Sequence, residues 1–416
     1  MKAVHHREDI HLQIFTSISD CRVLWEEVAP GDNLFLQYDY LSIVETYPPA
    51  GITFRYAVVF KGEEPLGVVY TQIVYFNGAE SIRYHRQMES PRCFFQTFGQ
   101  NLKGLVARQV GFNTLVCGNL MLSGEHGFAF TDPTLNTPFV VESVLHAIRA
   151  HLDNAGTTIS VTLLKDFHKQ PERLRSGLQK KGYHDFHILP SMVMPLDPTW
   201  KTYPDYIQAL SSKYRVRANK AKKLLDATVE RRILSVDEIR TAKDKIFDLY
   251  QQVVDDSGFN VITIHPEYFP ALAEGLGNRI RITGYYLESE LIGFMSAIVN
   301  GNGELEAHFL GYDNNHNPPY KLYFNMLLDL VAEGIRSRSN TIIFSRTAEE
   351  IKSSVGAIPI ELLCFIKHRS NFSNRFIKPL LDYLTPSEEI ILRHPFRMLE
   401  TTPPSVHPLH VQNGIS

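Results

Sequence analysis

The chain has 416 residues, 44% of them hydrophobic and 21% charged, which is the composition of an ordinary globular protein. A length of that order holds about two or three domains of ~150 residues each. The formal net charge of −3 excludes a polycationic nucleic-acid coat, and no apolar run approaches the ~18 residues of a membrane span.

The first residues, MKAVHHREDIHLQIF, lack the apolar stretch of a secretory signal. Cys21, Cys93, Cys117 and Cys364 lie far apart, with no pair at metal-ligand or redox spacing. A cytoplasmic protein with reduced, mostly buried thiols is the expectation.

In chain order, Phe54–Phe76 (FRYAVVFKGEEPLGVVYTQIVYF) reads as a β-hairpin, with Gly62 supplying the turn and Leu66-Gly67 in the second strand. Gly99–Gly104 has the glycine spacing of a nucleotide loop but is followed by Leu105 rather than lysine, and so fails as one. Asn113–Gly118 is a third strand. Ser123-Gly124-Glu125-His126-Gly127 then forms a loop whose glycines permit close backbone approach. That loop suits a relict donor loop, a part of an acceptor cleft, or a plain connection. An amphipathic helix over Pro138–Asn154 comes next, followed by a strand over Thr158–Leu164. A short helix, Pro171–Lys181, stops at Gly182, and a final strand covers Tyr183–Pro195.

The same order then recurs. After a boundary near Leu196-Asp197-Pro198 and a basic helical segment, Arg281–Val299 (RITGYYLESELIGFMSAIV) repeats the hairpin, with Ile292-Gly293 in the place of Leu66-Gly67. Glu304–Gly311 is the third strand, and about Tyr320–Ser337 the long helix. In that helix Leu322, Met326, Leu327, Leu330, Val331 and Ile335 recur on one face. Thr341–Phe344, Thr347–Val355 before Gly356, and Ile358–Ile366 complete the set. The duplication predicts an N-terminal domain over 1–197 and a C-terminal domain over 198–395, each with its own mixed sheet. Residues 396–416, rich in proline and polar side chains, are predicted to be a flexible tail.

The order β-β-β-α-β-α-β, preceded by helices, resembles the GNAT acyltransferase fold. Leu178-Gln179-Lys180-Lys181-Gly182-Tyr183 is similar to the Gly-aromatic ending of that fold's last helix, and Gly67 and Gly293 stand where its second strands carry glycine. HFLGYDNNHNPPYKLYFNMLLDLVAEGI and FSRTAEEIKSSVGAIP resemble the tandem-GNAT group that includes Fem-type aminoacyltransferases and peptidoglycan-biosynthesis-like acyltransferases. The resemblance spans about residues 15–370. It implies an α/β protein of two acyl-CoA N-acyltransferase-like domains that transfers an acyl group from an activated carrier to an amine. The Gly-rich CoA loop of the family is absent. Asn314, Asn315, Asn317, Pro318 and Pro319 stand where its glycines would. Acyl-CoA therefore remains one donor to consider, with acyl-carrier protein and aminoacyl-tRNA favoured by the missing cradle. No helical arm of the kind that holds tRNA in Fem enzymes is inserted in the second half. A non-catalytic binding protein on the same scaffold is the alternative of another class.

Strand alternation puts Glu304, Glu306 and His308 on one face of the third strand of the second half. A carboxylate beside an imidazole can make a base near neutral pH, so Glu306 and His308 are the candidate catalytic pair. The alternative is a polar face or a core histidine satisfied by a carboxylate. Asp313 is a candidate for orienting a substrate amine or for capping the next loop. Tyr320, Lys321 and Tyr323, at the start of the long helix, could meet a donor or simply pack. Arg346 and Lys352 could clamp a phosphate-bearing donor or lie on a solvated face. Lys220, Lys222 and Lys223 form the core of a basic cluster with Lys213, Arg215, Arg217, Arg231 and Arg232, suited to phosphate contacts or to plain solvation.

Overall fold

The computed structural model describes residues 10–77, 111–168, 172–256, 262–384 and 391–397. Cys93, Pro171, the Gly99–Gly104 segment and residues 398–416 of the predicted tail lie outside the described residues. In the first half the strands are β1 (Ile10–Phe15), β2 (Ile52–Lys61), β3 (Glu64–Asn77), β4 (Gly111–Cys117), β5 (Phe128–Phe130), β6 (Ile159–Phe167) and β7 (His184–Pro195). The second half supplies β8 (Val229–Ile233), β9 (Ile280–Leu287), β10 (Glu290–Val299), β11 (Glu304–Tyr312), β12 (Thr341–Ile343) and β13 (Ile358–His368).

The duplication is visible in hydrogen-bond register. In β2–β3, Val59 faces Gly67 and Phe60 faces Pro65, so Leu66 is an extra residue. In β9–β10, Tyr285 faces Gly293 and Tyr286 faces Leu291, so Ile292 is extra. Both hairpins thus carry a bulge immediately before the glycine, which bends each strand at the same point.

The two sheets expected from the sequence are in fact one. Thirteen strands form a single sheet in the order β1-β2-β3-β4-β6-β13-β7-β12-β11-β10-β9-β8, with β5 on β3. The reason is an exchange of closing strands. β13, from the second half, pairs antiparallel with both β6 and β7 of the first half. β7 in turn pairs with β12 of the second half. Each half therefore completes its sheet with a strand from the other.

Helices cover the faces. The helix Thr137–Asn154 buries Val140, Val141, Val144, Leu145 and Ile148 against the first half. The helix Leu322–Arg336 buries the predicted stripe of Leu322, Met326, Leu327, Leu330, Val331 and Ile335 against the second. Each such side chain contributes roughly 1.5–3 kcal/mol of burial. This helix starts two residues later than expected. Pro318-Pro319 open a separate short turn, Asn317–Tyr320, and Lys321 then takes a left-handed φ of 54° that interrupts the helix. Thr347 and Ala348 are likewise left-handed, which shortens the predicted Thr347–Val355 helix to Glu349–Ser353. Gly182 and Gly356 have the positive φ expected of helix-terminating residues, 87° and 115°.

The halves also meet away from the exchanged strands. The helix Tyr268–Leu276 packs on the helix Tyr38–Thr46. Trp25, Tyr40 and Tyr56 share one core with Tyr268, Phe269 and Phe294. The buried Asn300 amide oxygen accepts from Leu34 N–H at 2.8 Å. Near the end of the described chain Phe396 packs on Trp200 and Tyr206, and its backbone bridges Leu210, so the chain is docked at the position where the tail was expected to begin. Cys21, Cys117 and Cys364 are buried free thiols, in keeping with the sequence.

The exchange makes a direct prediction. A fragment of residues 1–197 leaves β6 and β7 without β13 and β12, exposing unpaired edges. Size-exclusion chromatography and thermal circular dichroism should show that fragment to be aggregated or non-cooperative, while the full chain melts as a unit. A monomeric, cooperatively folding fragment would contradict the exchange.

Candidate functional site

The site is built where the two halves share the sheet. β11 and β12 run parallel through Glu304–Thr341, Leu305–Ile342 and Glu306–Ile343. β12 ends there, whereas β11 continues to Tyr312, so the strands part just beyond Glu306. On its other edge β11 is bulged: His308 and Phe309 together oppose Ser296, whose hydroxyl donates to Phe309 C=O at 2.8 Å and accepts its N–H at 3.0 Å.

Glu306 is 4% exposed and His308 7%. They are not the charge pair that the sequence suggested. Burial alone lowers the His308 pKa to about 3, with no contribution from a carboxylate. The imidazole is neutral, and its Nε2 lies 2.8 Å from the Tyr268 hydroxyl. Burial, assisted by Glu304, raises Glu306 well above the ordinary carboxylate range, and Lys352 and Lys165 offset part of that rise.

Lys165 and Asp166, adjacent on β6, were not singled out in the sequence. They form a bulge opposite Cys364 of the exchanged β13. Asp166 is fully buried with a left-handed φ of 69°. Its carboxylate pairs with Lys165 and with Arg346 of the second half. Burial would raise this carboxyl, but the two cations outweigh it and hold the pKa at about 2. Lys165 also donates to Asn119 C=O at 2.8 Å and Leu122 C=O at 2.7 Å, so the first-half loop wraps it. Arg346 donates to Leu189 C=O and to the Ser123 hydroxyl, each at 3.1 Å. The hydroxyls of Ser123 and Ser345 lie 2.9 Å apart. The loop beginning at Ser123 is therefore part of the seam between halves.

Arg346 is thus committed to Asp166 and is not an open phosphate clamp. Lys352 is buried. Its ammonium donates to Arg346 C=O at 2.6 Å and Ser345 C=O at 3.4 Å, and burial lowers its pKa to about 7 against the opposing pull of Glu349 and Glu306. Ser345, Thr347 and Ala348 all have positive φ, at 58°, 65° and 54°. Strain of this kind persists only where surrounding contacts enforce it, and it gathers at working sites.

The remaining sequence candidates separate by location. Asp313 caps its loop, its Oδ1 accepting from Asn315 N–H at 2.8 Å and His316 N–H at 3.3 Å. With those donors taken, and with prolines at 318 and 319 lacking N–H groups, no backbone cradle for a pyrophosphate is formed there. Tyr323 is tied by its N–H to the Asn317 side chain at 3.0 Å, and its ring lies 6.0 Å from that of Tyr312. Lys321 is exposed and Tyr320 half-buried. In the helix Ser212–Asp226, Lys220 and Lys223 are exposed, but Lys222 turns inward. It pairs with Asp329 at 3.0 Å, alongside Arg231 at 2.7 Å. The expected three-lysine phosphate surface is reduced to two. Among the described residues no group of acidic, histidine or cysteine side chains is placed to hold a metal ion. No described helix is long and apolar enough to cross a membrane.

Neither a known family model nor a curated protein matches this sequence. The fold does have solved counterparts. The chain resembles the crystal structure of FemX with a TM-score of 0.52 at 8% identity, over 88% of this chain and all of that one. This chain has a tandem GNAT-like fold. Further similar structures are a tandem GNAT protein from the clavulanic acid biosynthesis pathway and L-PGS from Bacillus licheniformis. They have TM-scores of 0.49 and 0.48, identities of 9% and 10%, and cover 87% and 88% of this chain and 99% and 97% of theirs. The fold expected from the sequence is the one found.

The buried groups give stability a definite pH dependence. Lys352 has a folded pKa of about 7 against an ordinary 10.5, so between these values the unfolded chain holds more protons. Its contribution makes stability rise with pH across that window, by roughly 1.4 kcal/mol per pH unit at most. Lys352→Met should flatten this rise in chemical denaturation measured from pH 7 to 10. His308 and His126 are both held at about 3 by burial, so each costs stability as pH falls below 6.5. His308→Phe should shrink that acid-side loss, and an unchanged slope would contradict its burial as a neutral group.

Proposed function

We propose that the chain is an acyltransferase that moves an acyl group from an activated carrier to an amine, at the point where β11 and β12 part. The observation that carries this reading is the pairing, beside that gap, of a buried carboxyl with a raised pKa and a buried ammonium with a lowered one. Such opposed shifts are what acid and base roles at neutral pH require. The amine nitrogen attacks the carbonyl carbon, forming the C–N bond. Its proton passes to the Glu306 carboxylate. The C–S or C–O bond to the carrier breaks, and the leaving thiolate or alkoxide takes a proton from the Lys352 ammonium. Lys165 and Arg346 are proposed to stiffen this arrangement rather than to touch the acyl group.

The helix Ser212–Asp226 packs against the Asn317–Tyr320 turn. Exposed Lys220, Lys223 and Lys321, with Tyr320, are proposed to form a rim for a phosphate-bearing donor. The absent glycine cradle favours a carrier larger than free CoA. A screen of acetyl-CoA, acyl-carrier protein and aminoacyl-tRNA by thermal shift tests this, because a ligand that binds the native state raises Tm. If none raises Tm or supports transfer, the acyltransferase reading fails.

With a donor in hand, Glu306→Gln should lower turnover by about 10²–10⁴, the usual loss for a general base, with little change in Tm. The rate should fall on the acid side as Glu306 takes up a proton, and on the alkaline side above about 7 as Lys352 loses its own. Full turnover in Glu306→Gln would remove it from the chemistry.

A further inference from the structure

We infer that the first half, acting through Tyr268 of the second, sets the tautomer of His308: Asn119, Tyr40 and Tyr268 are positioning residues that hold its imidazole protonated at Nδ1, as a hydrogen-bond donor rather than a base. The inference comes from counting donors and acceptors along a buried chain that crosses between the halves.

The chain starts at backbone. Met121 N–H donates to Asn119 Oδ1 at 3.0 Å, which fixes the amide so that Nδ2 points the other way. That Nδ2 donates to the Tyr40 hydroxyl at 3.3 Å. A second amide beside it is fixed in the same manner: Leu120 N–H donates to Gln72 Oε1 at 2.8 Å, and Gln72 Nε2 donates to the Tyr70 hydroxyl at 2.8 Å. Tyr40, Asn119, Gln72 and Tyr268 are all fully buried.

Tyr40 already accepts from Asn119, so its own proton needs an acceptor. Among the described residues the acceptor within reach is the Tyr268 oxygen, 3.4 Å away. That contact is long, but no other group competes for the proton. Tyr268 then accepts from Tyr40 and has its own proton to place, for which His308 Nε2, 2.8 Å away, is the acceptor. An Nε2 that accepts carries no proton, so in the neutral ring the proton is on Nδ1. With the proton on Nε2 instead, either the Tyr40 or the Tyr268 proton is left without an acceptor, and the Nδ1 lone pair is left without a donor as well. The assigned orientation leaves a single group unmet, the Nδ1–H, which is buried with no partner. Tyr268 is the titratable group hydrogen-bonded to the ring, and burial keeps the ring neutral through the physiological range.

The consequence rests on the acyltransfer reading above. His308 cannot take the amine's proton at Nε2, because that lone pair is occupied. The proton goes to Glu306, and the unmet Nδ1–H is left for a carbonyl oxygen of the bound substrate. A residue pattern that reads as a Glu-His base pair is then a base and a separate donor, with the donor's state fixed by the other half of the chain.

The test needs no substrate, so it stands apart from the activity assays. In ¹⁵N-labelled protein, long-range ¹H–¹⁵N correlation distinguishes protonated from unprotonated ring nitrogens. His308 should show a protonated Nδ1 and an unprotonated Nε2, unchanged from pH 5 to 8. A protonated Nε2, or titration within that range, overturns the inference. Tyr268→Phe removes the donor and should shift the proton to Nε2 or mix the tautomers. A variant that only lowers Tm, with the tautomer unmoved, shows Tyr268 to be mere packing and overturns its positioning role. If that variant does not fold, the wild-type spectrum still decides the assignment.

Discussion

A single buried carboxylate, Asp166, holds two cations from opposite halves of the chain. Lys165 comes from its own strand and Arg346 from the loop after β12. Both cations are largely withdrawn from water, Lys165 at 5% and Arg346 at 13% exposed. Breaking such a buried pair by removing one partner typically costs about 3–5 kcal/mol, since it strands the other charge. Asp166 is held at its bulge by the exchanged strand, whose Cys364 sulfur accepts the Asp166 N–H at 3.3 Å. The strand exchange, the ion pair and the seam between the halves are therefore one construction.

That construction explains why the candidate chemistry sits where it does. An open sheet offers a gap where two parallel strands part, and here the gap after Glu306 opens toward residues supplied by the first half. The strained turn from Ser345 to Ala348 is pinned at one end by Arg346 on Asp166, and across its carbonyls by Lys352. Preorganised groups of this sort cost nothing to arrange at the moment of reaction. A second copy of the fold that supplies a buried charge, a hydrogen-bonded chain and a closing strand is a sufficient reason for the duplication.

Much of this was legible in the sequence, because local rules govern it. The hairpins declare themselves by two β-rich runs around a short turn and by a glycine at the same place in each second strand. The Leu322–Arg336 helix declares itself by its apolar stripe. What could not be read was set by contacts distant in sequence. Lys165-Asp166 closes the apolar run VTLLKDF and reads as the end of a strand, since nothing local marks a charge pair destined for burial. Arg346 lies 180 residues from its partner. Tyr40 and Tyr268 sit at positions indistinguishable from ordinary core aromatics. Lys222 looks like its exposed neighbours until Asp329, 107 residues away, takes it inward. The Glu306–His308 spacing suggested a shared charge, but burial and a tyrosine partner decide the imidazole's state.

The central claim is that the two halves form one working unit through Asp166. A double-mutant cycle between Asp166→Asn and Arg346→Gln, measured by chemical denaturation at pH 7, tests it most directly. The account predicts that each single change is strongly destabilising and that the pair is coupled, by about 1–3 kcal/mol, within the range seen for contacting residues. Strictly additive effects would contradict it, because independent contributions would mean that the seam does not depend on this contact.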